Sequence, residues 1–239
     1  FSDQSFFAEY EDYVTGPLTD RYDIEFVGNK GFSLGTSDFS SAMTEAKNSG
    51  ADVINLASFG SDIFAMMSQA VEFGLLEEDY KICVPSFDPS LAPNLPADLI
   101  GYEEAYFGLT GNYTGIDTEA NNEFNSKFFE QFDRYPAAAG PFYNGCRTLL
   151  RAASEVGTVD TAEVKEQVRG HDMVPQLYGV DEYWRGCDKR STKPPVVMRG
   201  GKTKSEVTNG EFFNVEAIID DIDLTMYPCE EIACVQQNN

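Results

Sequence analysis

Residues 51–74 read ADVINLASFGSDIFAMMSQAVEFG, and two hydrophobic periods meet inside them. Ala51–Ser58 is a nearly continuous apolar run, the pattern of a strand buried on both faces of a sheet. From Ser61 the apolar residues recur at helical spacing, with Ile63, Met67, Ala70 and Val71 on one side and Gly74 as the stop. The period changes at Ser58-Phe59-Gly60. A strand that runs into a helix through so short a junction is the local unit of an α/β fold.

The same alternation extends outward from that stretch. Upstream, DIEFVG (23–28) predicts a short strand, and TSDFSSAMTEAKNSG (36–50) predicts a helix. Ser37 or Asp38 can cap that helix, Phe39, Ala42, Met43 and Ala46 form its stripe, and Gly50 ends it. Downstream, YKICVPSF (80–87) predicts the next strand. The order β-α-β-α-β implies a parallel sheet flanked by helices, with right-handed crossovers. Residues 4–14, QSFFAEYEDYV, put Phe6, Phe7, Tyr10 and Val14 on one helical face.

A Pro-rich connection, DPSLAPNLPAD (88–98), closes this first region. The aromatic, Gly-rich segment 101–115 then reads as strand and loop. Three helices follow, over 119–134 with Phe124, Phe128 and Phe132, over 142–156 with Leu149, Leu150, Ala153 and Val156, and over 161–169. Asp160 or Thr161 caps the third and Gly170 closes it. From Met173 the pattern turns to short β pieces: YGVDEYWRGCDKR, KPPVVMRGG and EFFNVEAI. The organisation is thus an α/β region over 1–98, a mainly helical one over 99–178 and a β-rich one over 179–239.

Charge is the strongest global property. Forty acidic residues stand against 17 basic ones, for a net charge of −23 and a pI near 4.2. Such a surface repels nucleic acid and anionic lipid. The acids are spread along the chain, which fits a folded surface adapted to high salt, where the Debye length shrinks to about 3 Å at 1 M. An ordinary acidic secreted protein is the alternative. Apolar residues at 42% and aromatics at 13% suffice for a packed core. No run reaches the roughly 18 apolar residues of a membrane span, so no membrane insertion is expected. No leader pattern stands at the start, so any signal peptide is expected to lie outside this sequence.

Among five cysteines, Cys83 sits in a predicted strand, and Cys146 shares a helical stripe with Leu149, Leu150 and Ala153, which predicts a core position. Cys187, Cys229 and Cys234 lie in polar, loop-like sequence. Two of those three can pair in an oxidising compartment, and the sequence leaves open which two. No CxxC occurs and the one histidine, His171, is distant, so no metal site is expected.

GFSLG (31–35) matches the G-x-S-x-G pattern of serine hydrolases, with Ser33 as nucleophile and His171 as the available base. The pattern needs a strand directly before the serine and a helix directly after it. Neither is predicted at Ser33, so a hydrolase is the weakest reading and no catalytic residue is assigned. Asp220, Asp221 and Asp223 lack the Gly and final Glu of a calcium loop and read as a solvated turn. Asn112-Tyr113-Thr114 is a glycosylation sequon. No nucleotide or cofactor motif occurs, and no cofactor is expected.

The positive signal is positional. Ligands of open parallel α/β sheets bind beyond the carboxyl ends of the strands. Two such ends carry the same Ser-Phe pair, Ser58-Phe59-Gly60 and Ser86-Phe87-Asp88. The helix starting at Ser61 or Asp62 aims its N–H groups at the first, which suits a ligand carboxylate.

The stretch from Gly31 to Leu75, with its TSDFSS helix start, SGADVINL strand start and GSDIFAMMSQAVEFGL helix, resembles the second lobe of type I periplasmic binding proteins. These are the substrate-binding proteins of branched-chain amino acid and amide ABC transporters. IGYEEAYFGLTGNY, the helix pair from Phe124 to Gly170 and WRGCDKRSTKPPVVM continue the resemblance in order. The resemblance implies a two-lobe architecture, of which this chain holds the second lobe (1–98), a returning helical part of the first (99–178) and a crossover with C-terminal β segments (179–239). Most of the first lobe precedes, in that family, the point that aligns with Phe1. It also implies capture of a small polar ligand by hinge closure, for delivery to an ABC transporter permease, without covalent chemistry. Ligand contacts would fall at Ser58, Phe59, Gly60 and Ser86, with Phe142 or Tyr143 reaching in from the other lobe. A ligandless accessory or structural subunit built on the same fold is the alternative.

Overall fold

A computed structural model describes residues 16–58, 60–77, 79–136, 139–169, 172, 176–188, 190–203, 205–221 and 229. Seven α-helices and five strands lie among them. The helices are α1 (Gly16–Arg21), α2 (Ser40–Lys47), α3 (Ser61–Glu72), α4 (Ala97–Gly101), α5 (Glu119–Phe132), α6 (Ala139–Val156) and α7 (Thr161–Val168). The strands are β1 (Val53–Asn55), β2 (Lys81–Phe87), β3 (Ala105–Leu109), β4 (Val196–Arg199) and β5 (Asn214–Ile218). The predicted helix over 4–14 lies outside the described residues.

The strands form one sheet in the order β1-β2-β3-β4-β5. β1, β2 and β3 run parallel, as the alternation of strands and helices requires, and β4 and β5 join antiparallel. β3, from the segment 99–178, and β4 and β5, from 179–239, thus extend the sheet begun by β1 and β2.

The core packs α2 and α3 against this sheet. Ile63, Met66, Met67 and Ala70 of α3 are buried with Phe39 and Met43, and they join Ile54, Ile82, Val84 and Phe107 of the strands in one hydrophobic cluster. Neither Ser37 nor Asp38 is the cap of α2: its N-cap is Phe39, without a side-chain cap bond, and Asp38 one residue earlier accepts from Ser40 N (3.0 Å). Thr118 and Asp160 cap α5 and α7 with their side chains. Phe213 closes the far side of the core: its ring lies 4.5 Å from that of Phe107, and the Tyr113 hydroxyl both donates to Phe213 O and accepts from Phe213 N at 2.7 Å.

A bulge shapes the carboxyl end of β2. The register against β3 slips between Val84 and Phe87. Pro85, which has no N–H to give a ladder, sits in that interval. The approach to β3 is so close there that a Cβ on Gly108 would meet Pro85 O at 2.1 Å. Position 108 therefore takes only glycine, and the bulge sets the direction of the neighbouring Ser86.

Three expectations are corrected. Residues 23–28 form no strand; Tyr22, Ile24, Phe26 and Val27 are exposed, and no described strand pairs with them. Their apolar alternation exists without a neighbouring ladder to fix it. β1 is not buried on both faces: it is three residues long, Val53 is 50% exposed and only Ile54 is buried. It is the end strand of the described sheet, and one of its faces lacks a covering layer. Finally, Cys146 is exposed, together with Leu149 and Leu150, and the buried stripe of α6 is instead Gly140, Asn144, Thr148 and Ala152.

The C-terminal segment is tied down covalently. Cys187 and Cys229 form a disulfide, which settles the pairing that the sequence left open; Cys234 lies outside the described residues. Arg185 donates to both sulfurs (3.3 and 3.1 Å) and pairs with Asp188 at 3.4 Å, with both side chains buried. The Arg-x-x-Asp element thus acts as a local clamp beside the disulfide.

Candidate ligand site at the strand ends

Parallel pairing sets Val53 opposite Lys81, Ile54 opposite Ile82 and Asn55 opposite Cys83. Ser58 and Ser86 each lie three residues in sequence beyond the last of these pairs, at the carboxyl ends of neighbouring strands, and a register slip between Val84 and Phe87 comes just before and at Ser86. Thr110 directly follows β3, and its N–H donates to Phe87 O (2.9 Å), just past the Phe87–Leu109 pair. Sequence reading missed Thr110. Its signal was present, because it follows the AYFGL strand as Ser58 follows VINLA, but it carries no Ser-Phe pair.

Ser58 is buried, and its Oγ finds no hydrogen-bond partner among the described residues. Buried hydroxyls are rarely left without one. Ser86 is half-buried. Phe59 lies outside the described residues. Gly60 is the N-cap of α3 with φ of 65°, a left-handed conformation that disfavours a side chain and turns the chain sharply from β1 into the helix.

The first turn of α3 already holds a carboxylate. Asp62 is buried, and its Oδ2 accepts from Gly35 N (2.7 Å) while Oδ1 accepts from the Ser61 hydroxyl (3.2 Å). Two consequences follow. Part of the helix N-terminal potential is satisfied within the chain, so the end of α3 offers a ligand carboxylate less than the sequence alone suggests. The GFSLG segment is also anchored beside the junction. Gln69 strengthens the anchor, donating to Ser37 O (2.8 Å) and accepting from Phe39 N (2.7 Å).

Ser33 lies exposed in this anchored turn, where its carbonyl accepts from Thr36 N and its hydroxyl. No helix follows it directly, since α2 begins only at Ser40. The strand–serine–helix geometry of a hydrolase elbow is therefore lacking there, and His171 lies outside the described residues. Asn112 of the sequon is buried and donates to Asn125 Oδ1 (3.0 Å).

Phe142 and Tyr143 are placed by α6. Phe142 points away from the body of the chain. Tyr143 stacks on Phe124 (4.7 Å between centroids), and its hydroxyl accepts from Arg147 (2.7 Å). No hydrogen bond or ring contact among the described residues joins either to Ser58 or Ser86.

A second polar cluster lies under α6. Glu182 is buried, and burial pushes its carboxyl up to about 7 even though Tyr178 N, Leu177 N and the Asn144 side chain hydrogen-bond it. Burial also lowers Lys193 to about 8, against the pull of Glu182. Lys193 stands 5.2 Å over the Tyr178 ring.

The family profile described as periplasmic binding protein matches residues 2–205. The chain belongs to the periplasmic binding protein family. A curated relative, Leu/Ile/Val-binding protein homolog 7 of Brucella suis, is 25% identical over 179 residues, covering 69% of this chain and 44% of the relative. The chain therefore spans under half the length of that periplasmic binding protein. Among solved structures, an amino acid ABC transporter substrate-binding protein from Pseudomonas fluorescens superposes with a TM-score of 0.81 at 22% identity, over 94% of this chain and 60% of its own. The leucine-, isoleucine-, valine-, threonine- and alanine-binding protein of Brucella ovis, in its closed conformation, gives a TM-score of 0.78 at 18% identity, over 95% and 58%. These likenesses establish the α/β fold with its parallel-dominated, helix-flanked sheet.

Proposed function

We propose that this periplasmic binding protein chain contributes one wall of a site for a small polar organic solute, of the aliphatic amino acid or amide class, which is handed to an ABC transporter permease. The contacts are Ser58, Phe59, Gly60 and Ser86, joined by Thr110. The observation that carries the reading is the buried Ser58 hydroxyl without a hydrogen-bond partner among the described residues, at the carboxyl end of a parallel strand. A ligand carboxylate or amide satisfies it, and Ser86 and Thr110, at the carboxyl ends of the neighbouring strands, share the load. Phe142 and Tyr143 enter only as members of an opposing wall.

The mechanism is capture with closure of two lobes, and no bond is made or broken. Capture places the protein in the periplasm or outside the cell; among the described residues no helix is long and apolar enough to cross a membrane. The sheet of β1–β5, which draws strands from all three segments 1–98, 99–178 and 179–239, is the ligand-facing platform. The charge of −23 is an adaptation to high salt; its mark is a melting temperature that climbs steadily as KCl is raised towards molar concentrations.

Calorimetric titration in high salt with leucine, isoleucine, valine, alanine, acetamide and urea tests the function. One of the six is expected to bind, and Ser58→Ala to weaken it about tenfold, the worth of one hydrogen bond to a charged or polar ligand group. Silence across the panel favours the ligandless accessory subunit.

A further inference from the structure

The chain leaves the sheet after β3, builds α5, α6 and α7, and returns to it at β4. The outgoing segment, 110–118, and the returning one, 176–195, are pinned to each other. The Tyr178 hydroxyl donates to Gly111 O, and the Thr118 hydroxyl donates to Leu177 O (3.0 Å). The returning segment then folds on itself as a hairpin. Thr192 N donates to Tyr183 O (2.9 Å), Tyr183 N donates to the Thr192 hydroxyl (2.8 Å), and Trp184 bridges to Ser191. That antiparallel register sets Glu182 opposite Lys193 at the base of the hairpin.

Glu182 and Asn144 of α6 are both 1% exposed. The Asn144 side chain hydrogen-bonds the Glu182 carboxyl, and only its amide N–H can donate there. Its other end, Oδ1, is buried and has no hydrogen-bond partner among the described residues. Buried carboxamide oxygens seldom go without a donor. A carboxyl that carries its proton supplies one: its O–H donates to the amide oxygen while its carbonyl accepts from the amide N–H. Backbone N–H groups of Tyr178 (3.4 Å) and Leu177 hold the same carboxyl from the other side. Lys193 is the charged group that faces it, and Tyr178 is the other titratable one, its hydroxyl pushed above the usual phenol range by burial and by Glu182.

We propose that Glu182 is a proton switch at this junction, whose protonated carboxyl closes a two-way hydrogen-bonded pair with the Asn144 carboxamide. In that state α6 is fastened to the returning segment. Ionised, Glu182 gives its proton to water and is held by the Lys193 ammonium across the hairpin base. Asn144 Oδ1 then loses its donor, and α6 is fastened less firmly. Burial, which pushes the Glu182 carboxyl up to about 7, sets the exchange near neutral pH. Lys193, lowered by burial to about 8, still carries its charge there and can serve as counter-ion.

Carbon-13 NMR of the side-chain carbonyls tests the switch as pH is raised from about 5 to about 9. Glu182 Cδ and Asn144 Cγ are expected to shift together, with one midpoint near 7. In Glu182→Gln, whose amide N–H takes the place of the acid O–H, Asn144 Cγ should stay at its low-pH position throughout. Lys193→Met should move the Glu182 midpoint upward, because the ionised form loses its counter-charge. Hydrogen-exchange protection of the α6 amides should fall about tenfold above the midpoint in the wild type and stay level in Glu182→Gln. A Glu182 that titrates near its ordinary 4.5 overturns the proposal. So does an Asn144 signal that stays still while Glu182 titrates, or a midpoint that Lys193→Met leaves in place. The wild-type and Lys193→Met arms decide the matter even where Glu182→Gln does not fold. No readout uses a solute, so a failed solute titration and a failed switch are told apart.

Discussion

α3 and α6 are the two most informative helices, and they differ in what their faces meet. α3 carries Ile63, Met66, Met67 and Ala70 inward, buried on the sheet. α6 carries Gly140, Asn144, Thr148 and Ala152 inward and leaves Phe142, Leu149 and Leu150 outside. Both show clear helical periodicity. Periodicity reveals that a helix has an apolar face, but not which layer covers it. α3 belongs to a finished core, and α6 to a helical layer finished on one side only.

The largest test of that contrast is a pair of truncations. Met67→Ala removes a fully buried side chain and should cost about 2–5 kcal/mol in urea unfolding of the 239-residue chain. Leu150→Ala, on the outward face, should stay within about 0.5 kcal/mol. Equal losses would mean that α6 is covered like α3, and the contrast would fail.

The second test concerns how the β-rich segment is held. The Cys187–Cys229 link spans 42 residues. Cys187→Ser with Cys229→Ser should cost about 2–4 kcal/mol, mainly through a freer unfolded chain. A loss near zero would show that the clamp of Arg185 and Asp188 suffices by itself.

The third concerns the polar cluster under the inner face of α6. Folded Glu182 keeps its proton up to about 7, whereas the unfolded value is near 4.5. Between those pH values the folded state binds more protons, so this group makes stability fall as pH rises. Folded Lys193 loses its proton near 8 rather than 10.5, so from 8 to 10.5 it makes stability rise with pH. Subtracting the Glu182→Gln profile from the wild-type profile should leave a decline between pH 4.5 and 7. A difference curve flat over that range would remove Glu182 from the account.

Much of the fold was legible because period and punctuation agreed. The Gly60 turn, the Asp160 cap, the KICVPSF strand and the α3 stripe each follow from local chemistry. The misread segments share one cause. Residues 23–28, Val53 and the outward stripe of α6 all carry apolar patterns, and their burial depends on layers that the described residues do not supply. The candidate site was legible as a place, since Ser58 and Ser86 end adjacent strands. Two features were not legible: that Asp62 already occupies the α3 terminus, and that the register slip at Pro85 comes just before Ser86. Each depends on register or on a contact between segments far apart in sequence.

A small effect on stability is also expected of Ser58→Ala, because the buried hydroxyl has no partner among the described residues to lose. Unfolding free energy should change by less than about 1 kcal/mol in either direction. A larger loss would mean that the hydroxyl holds the fold rather than waits for a ligand.

The central claim is that solute binds at the carboxyl ends of β1, β2 and β3. Amide chemical-shift mapping of the 239-residue chain during titration with leucine, isoleucine and valine addresses it directly, because it locates even millimolar binding. The account predicts saturable shifts centred on Ser58, Gly60, Ser86 and Thr110, weakened in Ser58→Ala. Shifts centred elsewhere, or none at saturating solute, would contradict it.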